Sequence, residues 1–180
     1  MVRVLGKEVA AELFRLLKEL ETTGKAELKA QGHVATGKGI ASIEALITEQ
    51  SVDRLVGVIM AEDYLIGPVD KGVKRSRIPY TPGKSRARTS LYIQGLINWI
   101  RTIKPSLSDQ ERKGFAFAIA ATHKKEGMPT RGSYAFSANG RRKGWIENGI
   151  VLNAEGIERR LRLLELFTAR FEKAVFKAAA

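Results

Sequence analysis

The two histidines are the first residues to examine for chemistry, His33 and His123. His123 and Glu126 are three residues apart, so a helix would place them on one face, as in one half of a di-iron carboxylate site. The sequence holds no second pair of this kind, and Lys124 and Lys125 would repel a metal cation. The spacing therefore favours a histidine at a helix C-terminus, where the helix dipole attracts positive charge, over a metal ligand.

Two other arrangements of reactive side chains lack the neighbouring residue or the geometry that their chemistry requires. The run from Gly32 to Lys38 has the spacing of a phosphate-binding loop, but Gly39 stands where Ser or Thr should hold the metal. Glu62 and Asp63 are adjacent, so in a strand they would point to opposite faces. We therefore predict no enzymatic activity, no catalytic residues, no cofactor and no metal site. An enzyme acting on an anionic substrate remains an alternative that would need a constellation assembled in space.

Basic residues are concentrated in two segments. The formal net charge is +12, from 31 basic and 19 acidic residues. The first basic segment, 71–88, has seven basic residues and no acid, and the second basic segment, 123–144, has six and one acid, Glu126. The rest of the chain is neutral, so the two segments hold the whole excess. Their basic residues are Lys71, Lys74, Arg75, Arg77, Lys84, Arg86, Arg88, Lys124, Lys125, Arg131, Arg141, Arg142 and Lys143.

Both basic segments are rich in glycine and proline, which interrupt helices and strands. The sequence thus predicts two cationic loops on a neutral scaffold. A merely soluble surface usually mixes both signs of charge, so we interpret the thirteen residues as a contact surface for an anionic partner. That partner is either nucleic acid, contacted through its phosphates without sequence readout, or an acidic protein face. The alternative interpretation is two solvated loops that aid solubility.

Five aromatic residues lie near the basic segments, and two roles are open for them. They could stack on bases, or they could fix the loops to a core. These residues are Tyr80, Tyr92, Tyr134, Phe136 and Trp145.

Apolar periodicity predicts five helices. Ser108 and Glu111 have the spacing of a capping box, and Gly127 followed by Pro129 predicts that the fourth helix ends there. The predicted helices span residues 4–30, 36–48, 90–103, 108–126 and 153–178.

Strands are predicted between the second and third helices. Residues 53–69 contain β-branched residues with partial alternation in two runs, with a bend between them, and Pro68 limits the second run to a sheet edge or an early end. Asn139-Gly140 predicts a hairpin in the second basic segment. The fold class is therefore α+β, with long N- and C-terminal helices packed on a small antiparallel β-sheet. We predict a single domain over 1–180, with 70–144 as a helical and loop insertion that holds the basic segments.

Composition excludes several protein classes. The chain has no Cys, which excludes disulfides and thiolate-bound metals. No apolar run approaches 18 residues, so we expect no contact with a membrane by a spanning helix. The first residues lack a continuous apolar core, so we expect no secretory signal.

A short motif after the first helix resembles a known family. Tail-completion or neck proteins of tailed bacteriophages have a Thr-Gly-x-Leu-x-x-Ser-Ile segment at this point, and Thr36, Gly37, Ser42 and Ile43 match it, while Gly39 replaces the Leu. The following strand ends where the family has Glu-Gly-Thr, and this chain departs from that pattern.

The stretches 91–103 and 116–136 are also similar to a variant of these phage proteins, in which an Ile-Ala run with Glu-Gly-x-Pro precedes an aromatic loop. The resemblance implies a structural virion protein, assembled in the host cytoplasm into a homo-oligomeric ring that joins the head connector to the tail around the DNA path. It implies portal or connector and tail proteins as partners. The alternative function is a sequence-independent nucleic-acid-binding protein that uses the two basic segments.

Overall fold

The computed structural model describes residues 2–50, 55–154 and 156 of the 180. The chain divides into two compact units. Unit 1 comprises Met1–Glu27, Ile43–Met60 and Ile146–Ala180, and unit 2 comprises Leu28–Ser42 and Ala61–Trp145. Unit 2 holds 19 basic and 6 acidic residues, a net charge of +13, whereas unit 1 holds 12 basic and 13 acidic residues, a net charge of −1. The predicted insertion 70–144 lies inside unit 2.

The first helix, α1, spans Val2–Ala30 and confirms the predicted N-terminal helix. Its leucines recur at helical spacing, and Leu16, Leu17 and Leu20 are buried. On the solvent side, Arg15 forms ion pairs with Glu12 and Glu19 one turn away in either direction. The apolar stripe thus fixes which face of α1 is covered.

A two-stranded antiparallel sheet occupies unit 1. Strand β1 spans Glu44–Gln50 and strand β2 spans Leu55–Met60, with Glu44 opposite Met60 and a bulge between Ile47 and Glu49. Gly57 leaves room for the Leu17 side chain, which a Cβ atom would displace. This packing of α1 on a small sheet confirms the α+β fold class.

The predicted helix over 36–48 is wrong. Helix α2 covers only Lys38–Ala41, and the next seven residues form β1. Ile43 and Ile47 are four apart, which fits a helix, but Ile43 and Ala45 are both buried and follow the two-residue period of a strand. Pairing with β2 decides between the two patterns, because it satisfies the backbone donors and acceptors of this segment.

The second predicted strand run is also wrong. Leu65–Val69 form a single π-helical turn, with helical residues 63–64 before it and 70–71 after it. Pro68 lies within this turn and has no backbone N–H, so it could not contribute to a strand ladder.

Two helices form the core of unit 2. Helix α3 spans Leu91–Ile103 and helix α4 spans Asp109–Glu126, and both agree with the sequence prediction. The capping box is present as predicted, since Ser108 Oγ accepts from the Glu111 N–H at 3.3 Å and the Ser108 N–H donates to Glu111 Oε2 at 2.8 Å. The buried cluster of this unit contains Ile78, Tyr80, Ile93, Ile100, Ala116 and Ala120.

The second basic segment differs from its prediction. Residues Arg131–Phe136 form a 3-10 turn, and no hairpin forms at Asn139-Gly140 within the described residues. Glu147–Val151 form a second π-helical turn in unit 1. The predicted C-terminal helix over 153–178 lies almost wholly outside the described residues.

Candidate anion-binding surface

A pair of backbone hydrogen bonds joins the two basic segments within unit 2. The Val73 N–H donates to Met128 O, and the Met128 N–H donates to Val73 O, each at 2.8 Å. This antiparallel bridge connects residues 55 positions apart. The segments predicted to carry the charge therefore meet on one unit, which the sequence alone did not show.

Two glycines allow this close approach. Gly72 and Gly127 both have positive φ angles, of 77° and 86°. A Cβ atom at Gly127 would lie 2.7 Å from Val73 O, and one at Gly72 would lie 2.5 Å from Met128 O. Only glycine fits at both positions, because a side chain would be strained and would also push the two backbones apart.

An open cleft of about 560 Å³ lies beside the bridge. Its lining comes from the 3-10 turn Arg75–Arg77, from the end of α4 and from the start of the 3-10 turn Arg131–Phe136. Glu126 Oε2 accepts a hydrogen bond from the Arg131 N–H at 2.9 Å, which orders the start of that turn. The lining residues are Arg75, Lys125, Glu126, Pro129 and Arg131.

Eleven of the thirteen predicted residues are exposed, and two are half-buried. The half-buried ones are structural donors: Lys124 Nζ donates to Ile78 O at 3.0 Å, and the Arg142 guanidinium donates to Gln31 O at 2.5 Å. Both side chains therefore donate hydrogen bonds inside unit 2, which leaves fewer of their donors for a ligand. The exposed residues are Lys71, Lys74, Arg75, Arg77, Lys84, Arg86, Arg88, Lys125, Arg131, Arg141 and Lys143.

Ten of these exposed cations, all except Arg141, form no ion pair with an acid in the part of the chain that the structure describes. Acids pair with other cations within α1 and around Asp109 at the start of α4. Such a surface carries a positive potential that attracts anions.

The second basic segment is anchored to the last turn of α1. The Ala138 N–H donates to Ala30 O at 2.7 Å, and the Gln31 side-chain amide donates to Lys143 O at 3.0 Å. The Arg142 guanidinium bound to Gln31 O adds a cation at the negative end of the helix dipole. The second basic segment thereby supplies donors for two carbonyl groups at the C-terminal end of α1, Ala30 O and Gln31 O.

His33 belongs to this anchor. Its Nε2–H donates to Arg142 O at 3.2 Å. Burial and the neighbouring Arg142 guanidinium lower the pKa of His33, and the hydrogen bond to the carbonyl opposes them. Burial also lowers the pKa of Arg142. His33 is thus a neutral structural donor at pH 7.

The aromatic residues separate into two groups. Tyr80 and Trp145 are buried, and Trp145 Nε1–H donates to Leu65 O at 2.9 Å, so both fix the segments to the core. Tyr92 shares a 2.6 Å hydrogen bond with His123 Nδ1, and burial raises the pKa of Tyr92 to about 12. Only Tyr134 and Phe136 have exposed rings among the five, and Phe136 is 77% exposed.

The sequence does not predict the Val73–Met128 bridge, nor the hydrogen bond that Glu126 accepts from the Arg131 N–H. The sequence predicts only a helix end at Gly127, whereas its φ of 86° and ψ of −169° also permit the contact with Val73. The spacing of Glu126 from His123 indicates at most half of a metal site, whereas Glu126 lines the cleft. No group of three or more metal-ligating side chains occurs among the described residues.

Within residues 2–50, 55–154 and 156, every helix falls short of the length and apolarity that crossing a membrane requires. No protein-family model, curated protein or solved structure matches this chain.

Proposed function

We propose that this chain is a structural virion protein of a tailed phage. It forms part of the neck or tail-completion ring that joins the head connector to the tail around the DNA path. One observation carries this proposal: eleven exposed cations from two distant segments lie on one unit, joined by the Val73–Met128 bridge. Such a set of cations is complementary in charge to an acidic connector face or to DNA.

The residues behind the phage resemblance have a structural role in this chain. Gly37, with a φ of 77°, precedes the short helix α2, and Ser42 ends it. Ser42 Oγ donates to Gly39 O at 2.7 Å and accepts from the Glu62 N–H at 3.3 Å. These motif residues thus form the turn that leads from α1 into β1, and this local structural role is what they contribute to the proposal.

An apolar stripe on α3 supports the proposed ring. Leu91, Trp99 and Ile103 are exposed, and Gly95 lies between them at the same four-residue spacing. Leu91 is 83% exposed. Ile93 and Ile100 face the core from the opposite side of the helix. Exposed apolar patches of this kind are typical of protein interfaces, and a homo-oligomeric ring requires such a contact between subunits.

Native mass spectrometry of the purified chain, alone and mixed with isolated connectors, tests this function. We expect a ring, or a monomer that joins the connector, and we expect the protein in purified virions. Leu91→Asp should weaken assembly, because a charge replaces the most exposed apolar side chain of the stripe. Val34→Asp is the matched control, since Val34 is also exposed but lies outside α3. A monomer that ignores connectors and is absent from virions would contradict the proposal.

A sequence-independent nucleic-acid-binding protein is the second candidate, and the same exposed cations favour it. This function requires no ring and no connector. It predicts a chain that stays monomeric in native mass spectrometry, binds DNA of any sequence, and loses affinity steeply as salt rises. Assembly into a ring on a connector would instead favour the first candidate.

A further inference from the structure

We infer that the cleft beside the Val73–Met128 bridge is the docking site for the phosphodiester backbone of duplex DNA. The inference rests on the proposed function, because it names the anionic partner of the same basic surface. It selects three of the eleven exposed cations, Arg75, Lys125 and Arg131, as the residues that hold phosphates.

The charges in the cleft favour a phosphate ligand. Arg75, Lys125 and Arg131 are exposed and form no ion pair with any described carboxylate. Guanidinium groups bind phosphate oxygens through paired N–H donors, and an ammonium group adds a point charge. Glu126 is the one acid in the lining, and its carboxylate accepts from the Arg131 N–H, so it positions the arginine.

The cleft is organised before a ligand binds. The bridge fixes Arg75 relative to Arg131, since the former lies two residues after Val73 and the latter three residues after Met128. Lys125 is held in the last turn of α4, where its charge offsets the negative end of the helix dipole. Binding therefore requires no reordering of the backbone, and the ordering cost is limited to the three exposed side chains, which favours affinity for a rigid polyanion.

The lining also indicates which part of DNA binds. It contains no aromatic ring, so the cleft offers no surface on which a base could stack. Phe136, whose side chain is exposed, lies at the other end of the 3-10 turn from Arg131, so their backbones are roughly 10 Å apart along the turn. The cleft therefore contacts phosphates and leaves the bases paired, so binding is independent of sequence.

Fluorescence anisotropy with a fluorescein-labelled 20-base-pair duplex of arbitrary sequence tests the assignment. The triple variant Arg75→Gln, Lys125→Gln and Arg131→Gln should bind more weakly. Each lost phosphate contact reduces the slope of log affinity against log salt by about 0.9, so three contacts reduce it by about 2.7. The matched control is Lys29→Gln, Lys104→Gln and Lys113→Gln, which removes the same charge from exposed sites in unit 2 outside the basic segments.

A second variant tests the cleft without removing a cation. Glu126→Gln keeps an oxygen acceptor for the Arg131 N–H but removes the negative charge from the lining. We expect it to bind the duplex several-fold more tightly. Circular dichroism of each variant verifies that the fold is retained. The double variant Arg75→Lys and Arg131→Lys should keep most of the parent chain's salt slope, because both positive charges are preserved.

Three outcomes would overturn the inference. The first is an equal loss of slope in the cleft triple and the control triple, which would make the effect one of net charge alone. The second is tighter binding to a 20-nucleotide single strand that Phe136→Ala abolishes, which would place the nucleic acid on the exposed ring. The third is binding to an isolated connector but to no DNA, which would assign the surface to a protein partner while leaving the proposed function intact.

Discussion

The Val73–Met128 bridge between the basic segments can be tested by substituting a single glycine. Gly127 has a φ of 86° and a ψ of −169°, a backbone region that is essentially restricted to glycine. A Cβ atom at this position would also lie 2.7 Å from Val73 O, which accepts one of the two bridge hydrogen bonds. Gly127→Ala therefore strains the backbone and displaces the bridge at once.

The magnitude follows from these two effects. Holding a residue with a side chain in this backbone region costs roughly 1–3 kcal/mol, and each lost hydrogen bond costs about 1 kcal/mol. We expect the free energy of unfolding to fall by at least about 3 kcal/mol. For a chain of this length, that lowers Tm by roughly 6–12 °C.

Tryptophan fluorescence measures this loss in the correct unit, because Trp99 and Trp145 both belong to unit 2. Trp99 is exposed and Trp145 is buried, so the change in emission on heating reports mainly on Trp145. Gly114→Ala is the matched control, since Gly114 lies within α4 and an added Cβ meets no atom within 4 Å. This control should gain about 0.5–1 kcal/mol. A Gly127→Ala variant that melts within about 2 °C of the parent chain would refute the contact between Gly127 and the Val73–Met128 bridge.

Three further predictions concern the two units separately. Burial lowers the pKa of His123, so the folded state binds its proton less readily than the unfolded state. Stability should therefore fall as pH drops below about 6.5, and His123→Gln should reduce the slope of this part of a urea-midpoint profile, leaving the share that comes from His33. Burial acts to raise the pKa of Glu21, but hydrogen bonds from Lys18, Lys25 and the Ala45 N–H outweigh it and lower the pKa to about 2. The stability that Glu21 contributes is present above pH 4.5 and lost as pH falls towards 2, so Glu21→Gln should lack this loss in acid titrations followed by circular dichroism. Ser108→Ala removes one half of the capping box and should cost about 1 kcal/mol in urea unfolding, whereas an unchanged midpoint would contradict the cap.

Local signals in the sequence correctly predicted three helices, α1, α3 and α4. The leucine spacing of α1 and the capping box of α4 depend on residues within two turns of one another. These patterns can therefore be recognised from a short stretch of sequence without knowledge of tertiary contacts. β1 was missed because Ile43 and Ile47 fit two periods, and only pairing with β2 decides between them. The π-helical turn at Leu65–Val69 was missed because apolar residues before Pro68 also fit an edge strand.

The candidate site was predicted in composition but not in arrangement. The sequence identified the thirteen cations, and all lie in unit 2. It did not identify the Val73–Met128 bridge, because that contact joins segments separated by two helices and leaves no periodic pattern. Nor could it separate Lys124 and Arg142, whose donors bind backbone carbonyls, from the exposed cations.

The uneven division of charge between the units has a consequence for the order of assembly. A net charge of +13 on unit 2 makes adjacent copies of that unit repel one another wherever they lie within a Debye length, about 8 Å at physiological ionic strength. A polyanion that neutralises unit 2 removes this repulsion and releases its own condensed counterions. In the proposed ring, copies of the chain would therefore gain most from coming together after the proposed anionic partner has bound, and free subunits would stay dispersed until then.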